Sequence, residues 1–178
     1  KNYIDKFNKN KRWDKVKKIS NDYELIYTTE KKKRKKQISI SNYEPISSSY
    51  YKLTEMFYDF DLIEKGKENN PVATAHIAEG PGGFLEALVN YRKNSNDMIY
   101  GMTLKSTNNS IPDWTIPGKL FKYNNIFLTY GKDGTGSLYN LDNIVYLKNC
   151  INKKVDLVTA DGGFDYSIDF NSQEVISQ

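Results

Sequence analysis

Two hydrophobic periods divide the chain. Over residues 48–63, Leu53, Met56, Phe57 and Phe60 recur at three- and four-residue intervals and predict one amphipathic helix from about Ser48 to Ile63. Beyond Pro71 the pattern changes to short apolar runs. Val72–Ile77, Met98–Leu104, Ile126–Thr129 and Val155–Ala160 read as strands, with helices over Phe84–Arg92 and Asp142–Asn152. Gly66–Pro71 is polar and turn-rich, and Lys105–Lys122 reads as a long loop holding two prolines and Trp114. Upstream, Trp13, Val16 and Ile19 mark a weakly amphipathic segment, and Glu24–Thr28 and Ile38–Ile40 are short β-like runs; downstream, Gln173 opens a further helix. Strands alternating with helices predict an α/β fold around an open parallel sheet.

The 178 residues suffice for one domain with a sizeable core. A single cysteine, Cys150, excludes an internal disulfide and a multi-cysteine zinc site, and no metal is expected. No apolar run is long enough for a helix to span a bilayer, so the expectation is an intracellular protein of cytoplasm or nucleus without a membrane partner. Charge is uneven. Residues 1–36 hold 14 basic against 5 acidic side chains, whereas the remainder holds 12 against 17. Lys31, Lys32, Lys33, Arg34, Lys35 and Lys36 stand in succession, and six adjacent cations cannot be buried. Two readings stay open, a solvated arm or localisation signal and an edge that binds a polyanion such as RNA. Residues 1–45 are therefore set apart as a basic arm preceding a domain at 46–178.

Three features of that domain suggest chemistry. Glu79-Gly80-Pro81-Gly82-Gly83-Phe84 joins an expected strand to an expected helix, where glycines let the backbone turn sharply and approach a ligand. In open α/β sheets ligands lie beyond the carboxyl ends of the strands. The run does not match G-x-G-x-x-G, which disfavours a dinucleotide site, and a purely structural turn is the alternative. Asp161 follows the last expected strand and points to the same crevice, unless it only caps a turn. Lys52, within Ser47-Ser48-Ser49-Tyr50-Tyr51-Lys52-Leu53, reads alone as a surface lysine.

Taken in order, Ser-Ser-Ser-Tyr-Tyr-Lys-Leu, Ala-Glu-Gly-Pro-Gly-Gly-Phe, Gly101-Met102-Thr103-Leu104-Lys105 and Ala160-Asp161-Gly162-Gly163-Phe164-Asp165 resemble the FtsJ-like RNA 2′-O-methyltransferases, with the last two elements most similar to mRNA cap ribose methyltransferases. The resemblance spans about Ser47 to Gln178. It implies a Rossmann-like class I methyltransferase sheet with helices on both faces, here truncated after the fourth strand. It implies S-adenosylmethionine as cofactor, held by Glu79, Gly80, Pro81, Gly82, Gly83, Phe84, Thr103, Asp133 and Asp161. Lys52 and Asp161 map onto the first lysine and the aspartate of a catalytic Lys-Asp-Lys-Glu tetrad. The second lysine and the glutamate find no counterpart, so the fragment is expected to be inactive by itself.

The substrate implied is RNA, the capped mRNA 5′ end. Tyr50, Tyr51 and Trp114 are candidate stacking platforms, and residues 31–36 a candidate RNA-binding run. Two departures stand out: His76 replaces an acid at the end of the first strand, leaving Glu79 as a substitute, and Ser48 replaces an arginine. A satisfied strand-end histidine is the favoured reading of His76. Asp133 resembles an adenine-contacting acid, with a turn aspartate as its alternative. Three other functions stay open: a catalytically dead RNA- or cap-binding module on this fold, a ribosomal or transfer RNA 2′-O-methyltransferase, and a small-molecule methyltransferase. Protein partners are left unknown.

Overall fold

A computed structural model describes residues 26, 40–65, 69–105, 112–115, 120 and 125–163. The chain divides into two units, Lys1–Glu44 and Pro45–Gln178. In the first, Ser41 N donates to Ile26 O at 2.9 Å. The segment over residues 1–20, the two β-like runs apart from Ile26 and Ile40, the basic run 31–36 and the helix expected from Gln173 lie outside the described residues.

The second unit contains helix α1 (Ser49–Phe60), strand β1 (Ala73–Ile77), α2 (Gly83–Arg92), β2 (Met98–Met102), β3 (Ile126–Thr129), α3 (Leu141–Cys150) and β4 (Leu157–Ala160). The sheet is wholly parallel in the order β3-β2-β1-β4. The central strands are short and buried on both faces, as parallel strands covered by crossover helices must be. One face packs against α1 and α2 through Leu53, Phe57, Leu85, Leu88 and Ile99; the other packs Tyr100 and Met102 against Leu147 of α3. Helices thus lie on both faces. No described helix is long and apolar enough to cross a membrane.

Several expected boundaries shift for physical reasons. The first helix ends at Phe60 rather than Ile63, because Asp61 turns into the left-handed region at φ 46°. Only Leu53 and Phe57 of its expected stripe are buried; Met56 and Phe60 are exposed. α1 rests on α2 over a narrow strip, Phe57 stacking on Tyr91 with ring centroids 4.7 Å apart, and the neighbouring rows face outward. β2 stops at Met102, since Thr103 and Lys105 bond to loops and leave the ladder. β4 begins at Leu157 and alternates between half-buried and exposed positions, not a wholly buried run.

The amino ends of the strands are tied by one buried ion pair. Arg92 Nε and Nη2 donate to the two oxygens of Asp97 at 2.8 and 2.9 Å, and Asp97 also accepts from Val72 N. Arg92 further donates to the carbonyls of Glu64 and Asn70. The end of α2, the entry to β1 and the start of β2 are thereby joined below the sheet. The opposite end carries the loops.

Candidate active site

At the carboxyl end of β1 the chain reverses through Ala78 and Gly82, both at positive φ (55° and 118°), with a cis Gly80–Pro81 bond between them. The turn closes with Gly82 N donating to Glu79 O at 2.8 Å. Glu79 is buried, and its carboxylate accepts from Leu85 N at 2.9 Å in the first turn of α2. Burial pushes its pKa up to about 7, against the pull of those backbone donors and with a smaller contribution from the charge of Asp161.

Two glycines here are dictated by close approach. A Cβ on Gly80 would stand 2.6 Å from Pro112 O and 2.8 Å from Thr103 Oγ1, and one on Gly83 would collide with the hydroxyls of Ser47 and Ser49. Gly80 N instead donates to Thr103 Oγ1 at 2.8 Å, fastening the turn to the end of β2. The side chain of Phe84 is in the core, and its backbone N–H is turned to the Glu79 carboxyl.

α1 and β4 meet above this turn. Lys52 Nζ donates to both oxygens of Asp161, at 3.0 and 2.8 Å, across 109 residues of sequence. Lys52 remains 57% exposed and Asp161 35%, so the pair stands at a solvent-facing rim. His76 lies apart from it, fully buried between Thr74 and Thr159, its ring nitrogens 3.0 and 2.7 Å from their hydroxyls. Burial lowers its pKa to about 4, which keeps it neutral. It is a satisfied strand histidine.

The rim beyond β2 and β3 is a set of interlocked loops. Asp133 Oδ1 accepts from Thr135 N and Oγ1, and Oδ2 from Asn140 Nδ2, which together hold the carboxyl far below the usual range. Lys105 N donates to Thr135 O at 2.8 Å, and Gly136 packs directly on the Thr103 backbone. Tyr130 Oη donates to Asp113 Oδ1 at 2.6 Å, and Thr115 N donates to Pro81 O at 3.1 Å, drawing the 112–115 segment over the glycine turn.

Of the expected aromatic platforms, Trp114 packs its ring against Gly101, and its Nε1 is buried without a partner among the described residues. Gly101 leaves the space that one edge of the half-buried indole fills. Tyr50 leans on the α1–α2 core, and Tyr50 and Tyr51 meet edge to face at 5.2 Å, both half-buried.

The unforeseen residue is Asn143. It is fully buried in the first turn of α3 and accepts from Asp133 N at 3.1 Å while donating to Ser137 O at 3.0 Å. A polar residue on a helix face carries no sequence mark of such a role. Its neighbour Asn140, which accepts from Asp142 N as the N-cap of α3, could have been found by capping chemistry.

A parallel sheet with a glycine-rich first turn, an acid at the start of the first crossover and a second at the end of β4 defines a ligand-binding α/β domain with its crevice at the strand carboxyl ends. The chain belongs to the FtsJ-like methyltransferases, whose family model matches residues 46–178. Among similar proteins are cap-specific mRNA (nucleoside-2′-O-)-methyltransferase 1 of Trypanosoma cruzi strain CL Brener, 35% identical over 64% of this chain and 31% of the relative, and that of Leishmania braziliensis, 40% identical over 62% and 28%. The Xenopus laevis protein of the same name is 34% identical over 64% of this chain and 14% of its own. The chain thus spans less than a third of the length of these relatives.

Proposed function

We propose that this chain carries the cofactor-binding part of an S-adenosylmethionine-dependent RNA ribose 2′-O-methyltransferase that acts on capped mRNA 5′ ends. The observation that carries the reading is the Lys52–Asp161 pair at the rim of the glycine turn. The donor set fits the cofactor. Glu79 and Asp161 supply acidic groups for a ligand bearing ammonium and sulfonium charge. The glycine turn at the carboxyl end of β1 lets a ligand approach the amino end of α2, which suits its carboxylate, and the exposed Asp133 carboxylate suits an exocyclic amine. When bound, S-adenosylmethionine supplies an electrophilic methyl group.

The protein's own contribution is positioning and charge. A ribose hydroxyl is a weak nucleophile at neutral pH, so holding it in line accounts for much of the barrier reduction. Asp161 fixes the Lys52 ammonium, which then orients the 2′-oxygen and stabilises negative charge as it develops there. The 112–115 segment and the 130–137 loop shield the crevice from the β2–β3 side.

The test is isothermal titration of S-adenosylmethionine into the intact protein, with methyl transfer measured on capped and uncapped RNA of one sequence. Cofactor binding with cap-dependent transfer is expected. Asp161→Ala and Lys52→Ala are each expected to lower transfer at least about a hundredfold, in line with loss of a positioned charge. RNA binding without cofactor uptake would sink the reading in favour of a non-catalytic RNA-binding module.

A further inference from the structure

S-adenosylmethionine joins a methionine end, a ribose and an adenine in that order, and the sheet offers places in a matching order. The glycine turn closes β1, and β2 lies between it and β3, whose following loop holds Asp133. A ligand reaching from the turn to Asp133 passes over the end of β2. No acid stands there in sequence. The strand runs out into Thr103-Leu104-Lys105, and Thr103 Oγ1 accepts from Gly80 N at 2.8 Å. The fold brings two other residues to this point. Tyr130, the first residue after β3, donates from Oη to Asp113 Oδ1 at 2.6 Å, and Trp114 N donates to the same oxygen at 2.7 Å. Lys105 Nζ stands 5.7 Å from the centre of the Tyr130 ring, which ties the pair to the end of β2.

We propose that Tyr130 is a specificity-determining residue for the cofactor, its Oη accepting a hydrogen bond from a ribose hydroxyl, and that Asp113 is the positioning residue behind it. The inference rests on the S-adenosylmethionine reading of the crevice. A phenol whose proton is committed to a carboxylate turns only oxygen lone pairs to a third group. It therefore suits a ligand hydroxyl and opposes a phosphate. Burial, and then the bond and charge of Asp113, push the Tyr130 pKa up to about 12, so the phenol keeps its proton. Both partners are half-buried and anchored through the backbone. Gly136 N donates to Tyr130 O, and Thr115 N to Pro81 O, so the pair is fixed to the 130–137 loop on one side and to the glycine turn on the other.

Isothermal titration of the intact protein with S-adenosylmethionine and with its 2′-deoxyribose and 3′-deoxyribose analogues tests the assignment. The wild type is expected to bind S-adenosylmethionine about tenfold more tightly than one of the two analogues, the size of one well-placed hydrogen bond. Tyr130→Phe, which removes one oxygen and keeps the ring, should lose about tenfold for S-adenosylmethionine and leave the affinity for that weaker analogue unchanged. Unchanged binding of the analogue also reports that the variant is folded. Asp113→Asn should lose less, and should cost nothing more in the Tyr130→Phe background. A further loss in that background overturns the positioning role of Asp113. Equal loss for all three ligands in Tyr130→Phe, or no discrimination among them by the wild type, overturns the proposal and leaves the cofactor reading standing. No binding of any of the three by the wild type overturns both.

Discussion

Glu79 and His76 stand three residues apart, and burial moves their titrations in opposite directions. His76, lowered to about 4, is neutral in the fold but takes up a proton below about 6.5 in the unfolded chain. Its contribution is therefore complete above pH 6.5 and is lost as pH falls through 4. Glu79, raised to about 7, keeps its proton in the fold at pH values where the unfolded chain has released it. Its contribution is complete below about 4.5 and is lost as pH rises through 7. Each effect is worth about 3 kcal/mol, and between pH 4.5 and 6.5 they largely cancel. Glu79→Gln, which can still accept from Leu85 N, should expose the histidine term. Relative to wild type, the variant is expected to gain up to about 3 kcal/mol between pH 4.5 and 7, read by urea unfolding at the two values. A difference that does not change with pH would mean that Glu79 ionises as a solvated acid does.

The contact between α1 and α2 depends on the absence of a side chain at Gly83, where two serine hydroxyls occupy the space a Cβ would take. Gly83→Ala is expected to cost about 1–3 kcal/mol through overpacking, measured as a lowered urea midpoint with unchanged slope. The elements themselves were largely legible in sequence. The runs around β1 and β2 are short, apolar and bounded by turns, so their strands fall within a residue or two of expectation. The stripe on α1 was half legible: periodicity marks a face, but Met56 and Phe60 lie beyond the strip that α2 covers. The side-chain ties were not legible. Asn143, Asp113 and Tyr130 look like ordinary loop or helix-surface residues, and their role exists only once the loops converge. Lys52 and Asp161 could be singled out only through the order of four motifs, because 109 residues separate them.

Across the whole molecule, the two ends of the sheet are built for different tasks. The amino end is held by Arg92 and Asp97, both buried, which bind α2, β1 and β2 into one body. Arg92→Ala leaves the Asp97 charge buried and unpaired, and is expected to cost about 3–5 kcal/mol of global stability. The carboxyl end is held loop to loop, with Asn143 joining the 130–137 loop to α3 and Gly136 joining that loop to Thr103. Asn143→Ala removes the acceptor for Asp133 N and the donor for Ser137 O, a loss of about 1–3 kcal/mol. In the folded protein that loss is expected to loosen the 130–137 loop that holds Asp133. Calorimetric titration at a temperature where both variants are folded separates the two ends. Asn143→Ala should weaken S-adenosylmethionine binding about tenfold, the equivalent of roughly 1.4 kcal/mol, while Arg92→Ala should bind it as wild type does. Equal affinities in all three proteins would show that the loop lattice supports the fold without shaping the crevice. Loss of affinity in Arg92→Ala alone would place control of the crevice at the opposite end of the sheet.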